Sequence, residues 1–441
     1  MIKNILIFLC LSAGITSVYA QKPAPAKDLR VNLSEDGSRY IKFNASNQVW
    51  IRYTNNNPTS LVNGYKETST ADVGLRRLRF QMFGQITDRI SFYTHFGENN
   101  YQSLSARYAG SFFHDATIEY AVLPKNLNVG AGLAGWSGPL RYSQASTGSL
   151  MSLDLPTYQE YTNGISDQFL RKLSVYAKGK IGKLDYRVAL AKPMAVQNGN
   201  PAPGVLNAAK TEFSLKPSKL QTNAYFNYQF LDQENNDIPY FTGTYLGKKK
   251  IFNIGAGVLY QPDAMWKLNS LTDTVNYNMM VIGADILYDS YINKETGTAI
   301  TFYGAYSYQD FGPGFYRNGG PMNPATGVAT GSKVVSGAGD AYSYIGTGNS
   351  YYVQAGYKMK DNLLPGGGSL SFFATGHYGK WQSFKDPVRM YEVGLNWLIH
   401  GTHANKISFE YQNRPVFEKI GADIFESTRR GMWVIQLQIG I

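Results

Sequence analysis

Arg77 and Arg79 lie two residues apart in the run GLRRLRFQMFGQITDRISFYTHFG, residues 74–97, with no acid in the wall of their own hairpin. Residues two apart on a strand share one face, and two guanidinium groups on one wet face attract anions. Other chemistry is poorly supported. The 5 histidines stand at His95, His114, His377, His400 and His403. His400 and His403 flank a turn without an acidic partner, so no metal is expected. His95 and His377 fall on polar faces and could each meet a serine, as in a lipase-like barrel enzyme. Lone histidines on a wet wall serve more simply as polar lining, and no enzyme is expected. Residues Gly130 to Gly135 fit a GxGxxG pattern but sit inside a strand with no βα unit after it. Small residues where strands crowd account for them, and no cofactor is expected.

The elements that would position the arginines are strands. Leu78, Phe80, Met82, Gly84 and Ile86 share one face, and Arg77, Arg79, Gln81 and Gln85 the other, with Phe83 the exception. After the turn at 87–89, Ile90, Phe92, Thr94 and Phe96 alternate with Ser91, Tyr93 and His95. One greasy and one charged face suit either the skin of a soluble sandwich or the wall of a membrane barrel with a wet interior.

Residues 1–20 read as a secretory signal peptide, with Lys3 ahead of an apolar core and Val18-Tyr19-Ala20 before Gln21. The single cysteine, Cys10, falls in this segment, so the mature chain is expected to lack disulfides and thiolate metal sites. Residues 21–39 form a periplasmic N-terminal extension, and 40–441 the barrel. No later apolar run is long enough for a membrane helix. Mean hydropathy is −0.28, which a polar-lumen barrel also reaches because half of its wall faces water. Net charge is +11 without a block of like charges, which argues against nucleic acid as a partner. Tyr 33, Phe 23, Trp 6 and Gly 45 suit strands, interfacial belts and tight turns.

Alternation recurs to the last residue. Ile41, Phe43, Ala45, Val49, Ile51 and Tyr53 oppose Lys42, Asn44, Ser46, Gln48 and Arg52; at the end, Trp433, Ile435, Leu437, Ile439 and Ile441 oppose Gln436 and Gln438. The reading is all-β: a closed antiparallel transmembrane β-barrel of about 18 strands. Without the weak segments 208–215 and 241–247 it has about 16. Connections alternate between long polar loops (54–72, 98–112, 137–169, 193–207, 261–277, 310–349, 415–429) and mostly short turns. That sorting is expected when loops crowd one rim and turns the other. Closing the cylinder at its last strand leaves no open edge.

Assigning polar faces to the lumen makes Lys42, Arg52, Arg77, Arg79, Lys172, Lys178 and Arg187 the principal basic lining, joined by Lys210, Lys358 and Arg414. Asp115, Glu119, Asp185, Glu212, Asp285, Glu392 and Glu410 oppose them. The small positive surplus favours anions; the alternative is a set of cross-strand ion pairs that stiffen the wall. Segment 137–169, with Arg141, Asp154 and Glu160, is expected to fold inward as a constriction opposite Arg77 and Arg79. The Gly-rich 310–349 segment is expected as a mobile outer flap.

The runs quoted above, with FFHDATIEY, GLAGWSG, QFLRKLSVYAKGKIGKLDYRVAL and TYLGKKKIFNIGAGVLYQPDAMW, resemble the Bacteroidetes outer-membrane porins related to the phosphate-selective porin O/P family. The resemblance implies a passive channel in the outer membrane, surrounded by its lipid, assembled as a homotrimer and passing small anionic or polar solutes. Phosphate-specific members carry ladders of inward arginines and lysines; here Arg77 and Arg79 match that kind of face, and most strands offer no further rung. A non-conducting structural or interaction barrel of the cell envelope is the second reading.

Overall fold

The computed structural model describes residues 29–108, 110–135, 138–196, 206, 208–270 and 273–441. The signal-peptide segment and Cys10 lie outside the described residues. Period-two alternation becomes strands β1 (Tyr40–Asn55), β2 (Ser69–Gln85), β3 (Ile90–Tyr101), β4 (Phe112–Leu123), β5 (Leu127–Ala134), β6 (Lys172–Ile181), β7 (Leu184–Lys192) and β8 (Gln221–Gln229). The second half supplies β9 (Ile251–Leu268), β10 (Thr274–Asn293), β11 (Thr298–Asp310), β12 (Gly348–Lys358), β13 (Ser369–Trp381), β14 (Val388–Leu398), β15 (Lys406–Ile420) and β16 (Asp423–Gly440). Each pairs antiparallel with the next, and β1 closes on β16 from Ser46 opposite Gly440 to Thr54 opposite Met432. Ala45 and Ile441 exchange backbone hydrogen bonds of 2.9 and 3.1 Å at the seam. The result is a closed 16-strand barrel, the form in which a sheet can satisfy its backbone in hydrocarbon.

The outward face is apolar and open: Ile118, Leu173, Trp433 and Ile439 are 67%, 61%, 59% and 65% exposed. A belt of that size is stable against lipid and a liability in water. No helix among the described residues is long and apolar enough to cross a membrane; the strands cross instead.

Sixteen strands, not eighteen, is the count, and both weak segments explain the difference. Around 208–215 only Glu212–Phe213 is extended, pairing with Trp266 and Met265 beyond the ring. Segment 241–247 is not a strand: Phe241, Gly243, Thr244 and Leu246 are buried inside the bore, so its alternation reports packing rather than a lipid face. The expected loops 261–277 and 415–429 are mostly strand, with connections of only 269–273 and 421–422. Their polar composition fits strands that continue past the membrane, where no face meets lipid. The extension predicted for 21–39 includes a short strand, Arg30–Asn32, on the edge of β1.

The Gly-rich 310–349 segment is not a loose flap. Tyr316–Gly319 pairs with Tyr342–Gly346, and Phe311, Phe315, Tyr342, Tyr344 and Ile345 join Leu259, Met279, Trp381 and Phe417 of the walls in one buried cluster. Its glycines let the chain turn back into the mouth; its aromatics hold it there.

The turn rim carries connections 86–89, 124–126, 182–183 and 294–297, but also 230–250. That long strap enters the bore and meets segment 138–170, which descends from the opposite rim. Phe241 N–H donates to Gln144 O at 2.8 Å, Ser146 N–H to Phe241 O at 2.7 Å, and Thr244 N–H to Ser149 O at 3.0 Å. Both lie against β9–β12, where Tyr142, Leu150 and Tyr158 pack with Ile251, Leu287, Tyr303 and Tyr352. Glycine makes the approach possible: a Cβ on Gly257 would sit 2.5 Å from Pro139 O, and one on Gly283 2.7 Å from a Leu140 methyl.

Candidate functional site

Opposite this packed half, along β1–β3, runs a cavity of about 1180 Å³. Its lining extends from Ala45, Ala404 and Ile441 at the turn rim to Ser105, Asn323 and Thr326 at the loop rim. Arg76, Arg77, Arg79, Arg171 and Arg317 line it, against Asp154 and Glu160.

The β2 arginines owe their arrangement to a β-bulge. Gln48 of β1 stands opposite Arg77 and Val49 opposite Leu75, so Arg76 is the extra residue and turns inward beside Arg77. Arg76 Nε and Nη2 donate to the Asp154 carboxylate at 3.1 and 2.8 Å, and Arg77 Nη2 donates to the same group. Arg77 Nη1 also donates to Gln48 Oε1 at 2.8 Å. Arg79 has no carboxylate among the described residues: it donates to the Leu78 and Glu98 carbonyls at 2.9 and 2.6 Å and to Asn99 Oδ1. Two guanidinium groups on one carboxylate plus a third without one leave this wall positive.

Glu160 caps the short 3-10 turn Thr157–Gln159 and accepts from Asn163 Nδ2 at 2.5 Å. Burial and the nearby Asp154 carboxylate push its carboxyl up to about 7, against the Asn163 hydrogen bond and the Arg76 and Arg77 charges. Arg171 donates to Tyr240 Oη at 2.5 Å and approaches Asp115 at 3.5 Å. Arg317 donates to the Asn163 carbonyl.

Of the seven principal basic residues predicted for the lining, only Arg77 and Arg79 reach this cavity. Arg52 is buried against Asp72 at 2.6 and 2.7 Å, Lys178 against Glu119 at 2.7 Å, Lys172 against Asp167 at 3.3 Å, and Arg187 beside Asp185 at 3.4 Å. Three of those pairs lie within the wall, and the fourth ties Lys172 to Asp167 of the inserted segment. Lys42 stands opposite Phe83 near the turn rim and is not part of the lining either.

Of the three constriction residues, Asp154 and Glu160 border the cavity and Arg141 does not. Arg141 is 1% exposed beneath the strap, forked onto Glu234 at 2.7 and 2.5 Å. Burial raises the Glu234 carboxyl, but the Arg141 charge outweighs it and holds the group below its usual range. Asn253 and Tyr245 add bonds of 2.6 and 2.7 Å to the same carboxylate.

Sequence reasoning missed Arg76, Arg171, Arg317 and the strap. The adjacent Arg76–Arg77 pair, which breaks the alternation, was a readable bulge signal; the other three carry no local mark. His95 bonds Asp115 at 3.0 Å, and His377 Nε2 lies 3.0 Å from Ser350 Oγ. That second pair is buried in the interior, with His377 stacked on Tyr158 and its Nδ1 without a partner among the described residues. No acid orients the imidazole, as nucleophilic catalysis would require. The described residues contain no metal-binding cluster of His, Cys, Asp and Glu.

The molecule is a closed transmembrane barrel with an arginine-lined cavity beside a packed half. No family model and no curated protein sequence matches the chain. Among solved structures, the trimer form of OmpT, an outer membrane protein of Vibrio cholerae, is similar at TM-score 0.48 and 7% identity, covering 92% of this chain and 100% of that one. A triple mutant of the Rhodopseudomonas blastica porin is similar at TM-score 0.44 and 11% identity, covering 91% and 100%. The architecture stands on the pairing of its own strands.

Proposed function

We propose that this protein is an outer-membrane porin, a passive channel for small hydrophilic solutes with a mild preference for anions, phosphate among them, working as a homotrimer without catalysis. The observation that carries this reading is the cavity lined from rim to rim, with five arginines on it against two acids. Fixed charge in a low-dielectric wall raises the local concentration of counter-ions and biases flux. The packed half, filled by 138–170 and the 230–250 strap, favours a second reading, a non-conducting envelope barrel. Planar-bilayer recording separates the two. Discrete conductance steps whose reversal potential in a KCl gradient lies toward chloride are expected; a silent bilayer supports the second reading, and a cation-selective reversal removes the charge argument.

A further inference from the structure

Five arginines and two acids share the lane, but the two acids are held differently. Asp154 is clasped by Arg76 and Arg77. Glu160 has no ion-pair partner among the described residues; its one side-chain hydrogen bond comes from the neutral amide of Asn163. Its position is set by its neighbours. The Glu160 N–H bonds Thr157 O at 2.9 Å, and Tyr158 and Tyr161 on either side are fully buried, Tyr158 stacked on His377 with ring centroids 4.5 Å apart.

The groups that face Glu160 come from three elements: Asp154 on its own segment, Arg76 and Arg77 on β2, and Tyr342 and Tyr344 on 311–347, where Arg317 bonds the neighbouring Asn163 carbonyl. Asp167, farther along its own segment, is tied to Lys172 at 3.3 Å. Among the described residues, the only other side-chain carboxyl on the lane is that of Asp154, which holds two cations.

We infer that Glu160 is the selectivity switch of the bore: losing its charge in acid strengthens the preference for anions, and regaining it in base weakens that preference. The inference rests on the channel reading. Its carboxyl, pushed up to about 7, is mostly ionised at pH 8 and mostly neutral at pH 6, so the lane loses most of one negative charge between them. One unit charge about 8 Å from a permeating ion in a water-like dielectric, screened by about 0.1 M salt, changes the ratio of two oppositely charged ions about two- to threefold.

The test is the chloride-to-potassium permeability ratio of the full protein in a planar bilayer under a KCl gradient, at pH 8 and pH 6. The ratio should rise about two- to threefold on acidification, and Glu160→Gln should show the acid value at both pH values. A conducting protein with equal ratios at the two pH values overturns the switch and leaves the channel standing, as does a Glu160→Gln protein that keeps the full shift. Absence of conductance overturns the channel reading and takes the switch with it.

Discussion

Along β2 and β3 the inward residues include Arg76, Arg77, Arg79, Gln81, His95 and Asn99, and these border the cavity. Along β9–β12 they include Leu259, Leu287, Tyr303 and Tyr352, and they are covered by the chain itself. The same period-two pattern built both walls. The difference is that the second wall offers glycines at Gly257 and Gly283, where Pro139 and Leu140 seat, and the first offers arginines that border the cavity and bind Asp154. A barrel interior is thus apportioned by what is inserted, not by the alternation that closes it.

Removing the insertion should erase the contrast, with the largest effect of any change. Arg141–Glu234 pins the strap inside, and taking away one member of a buried pair costs ~3–5 kcal/mol. Glu234→Ala should release 230–250, raise single-channel conductance, and open the buried Phe241 to chymotrypsin from the turn side. A variant with unchanged conductance and a resistant strap would mean that the packed half holds together without the latch. Filling the glycine seat should act less strongly. Gly283→Val puts a side chain where Leu140 lies, and overpacking costs about 1–3 kcal/mol. Thermal unfolding should begin at a lower temperature while ion selectivity stays put; a shift in selectivity would show that the dry half shapes the lane. The smallest effect belongs to the wet side. Arg79→Gln removes a cation that no described carboxylate balances, and should lower the chloride-to-potassium ratio about two- to threefold. Lys178→Gln, in a wall pair with Glu119, should leave that ratio unchanged. Equal effects of the two would abolish the distinction between lane and wall charges.

Much of the fold was readable. Lipid-facing and inward positions followed the alternation from Tyr40 to Ile441, including the final strand with Trp433 outward and Gln436 inward, because lipid rejects charge on one face of every strand. Segment 241–247 misled because burial inside a bore selects the same alternating pattern as burial in lipid. The 421–422 turn was hidden because strands outside the membrane owe nothing to a period.

The site was legible in part. Arg77 and Arg79 were readable as a wet pair, and Asp154 and Glu160 as acids of a segment that could fold inward. Lys172, Lys178 and Arg187 look identical to them in the chain and end in buried ion pairs instead.

Sequence by itself determined which side chains point inward, since that depends on parity along a strand and on the solvent outside. Only the tertiary structure decided which inward charges meet water and which meet each other. The partners Asp154, Asp167 and Glu234 arrive from connecting segments, and Coulomb energy depends on distance through space rather than along the chain.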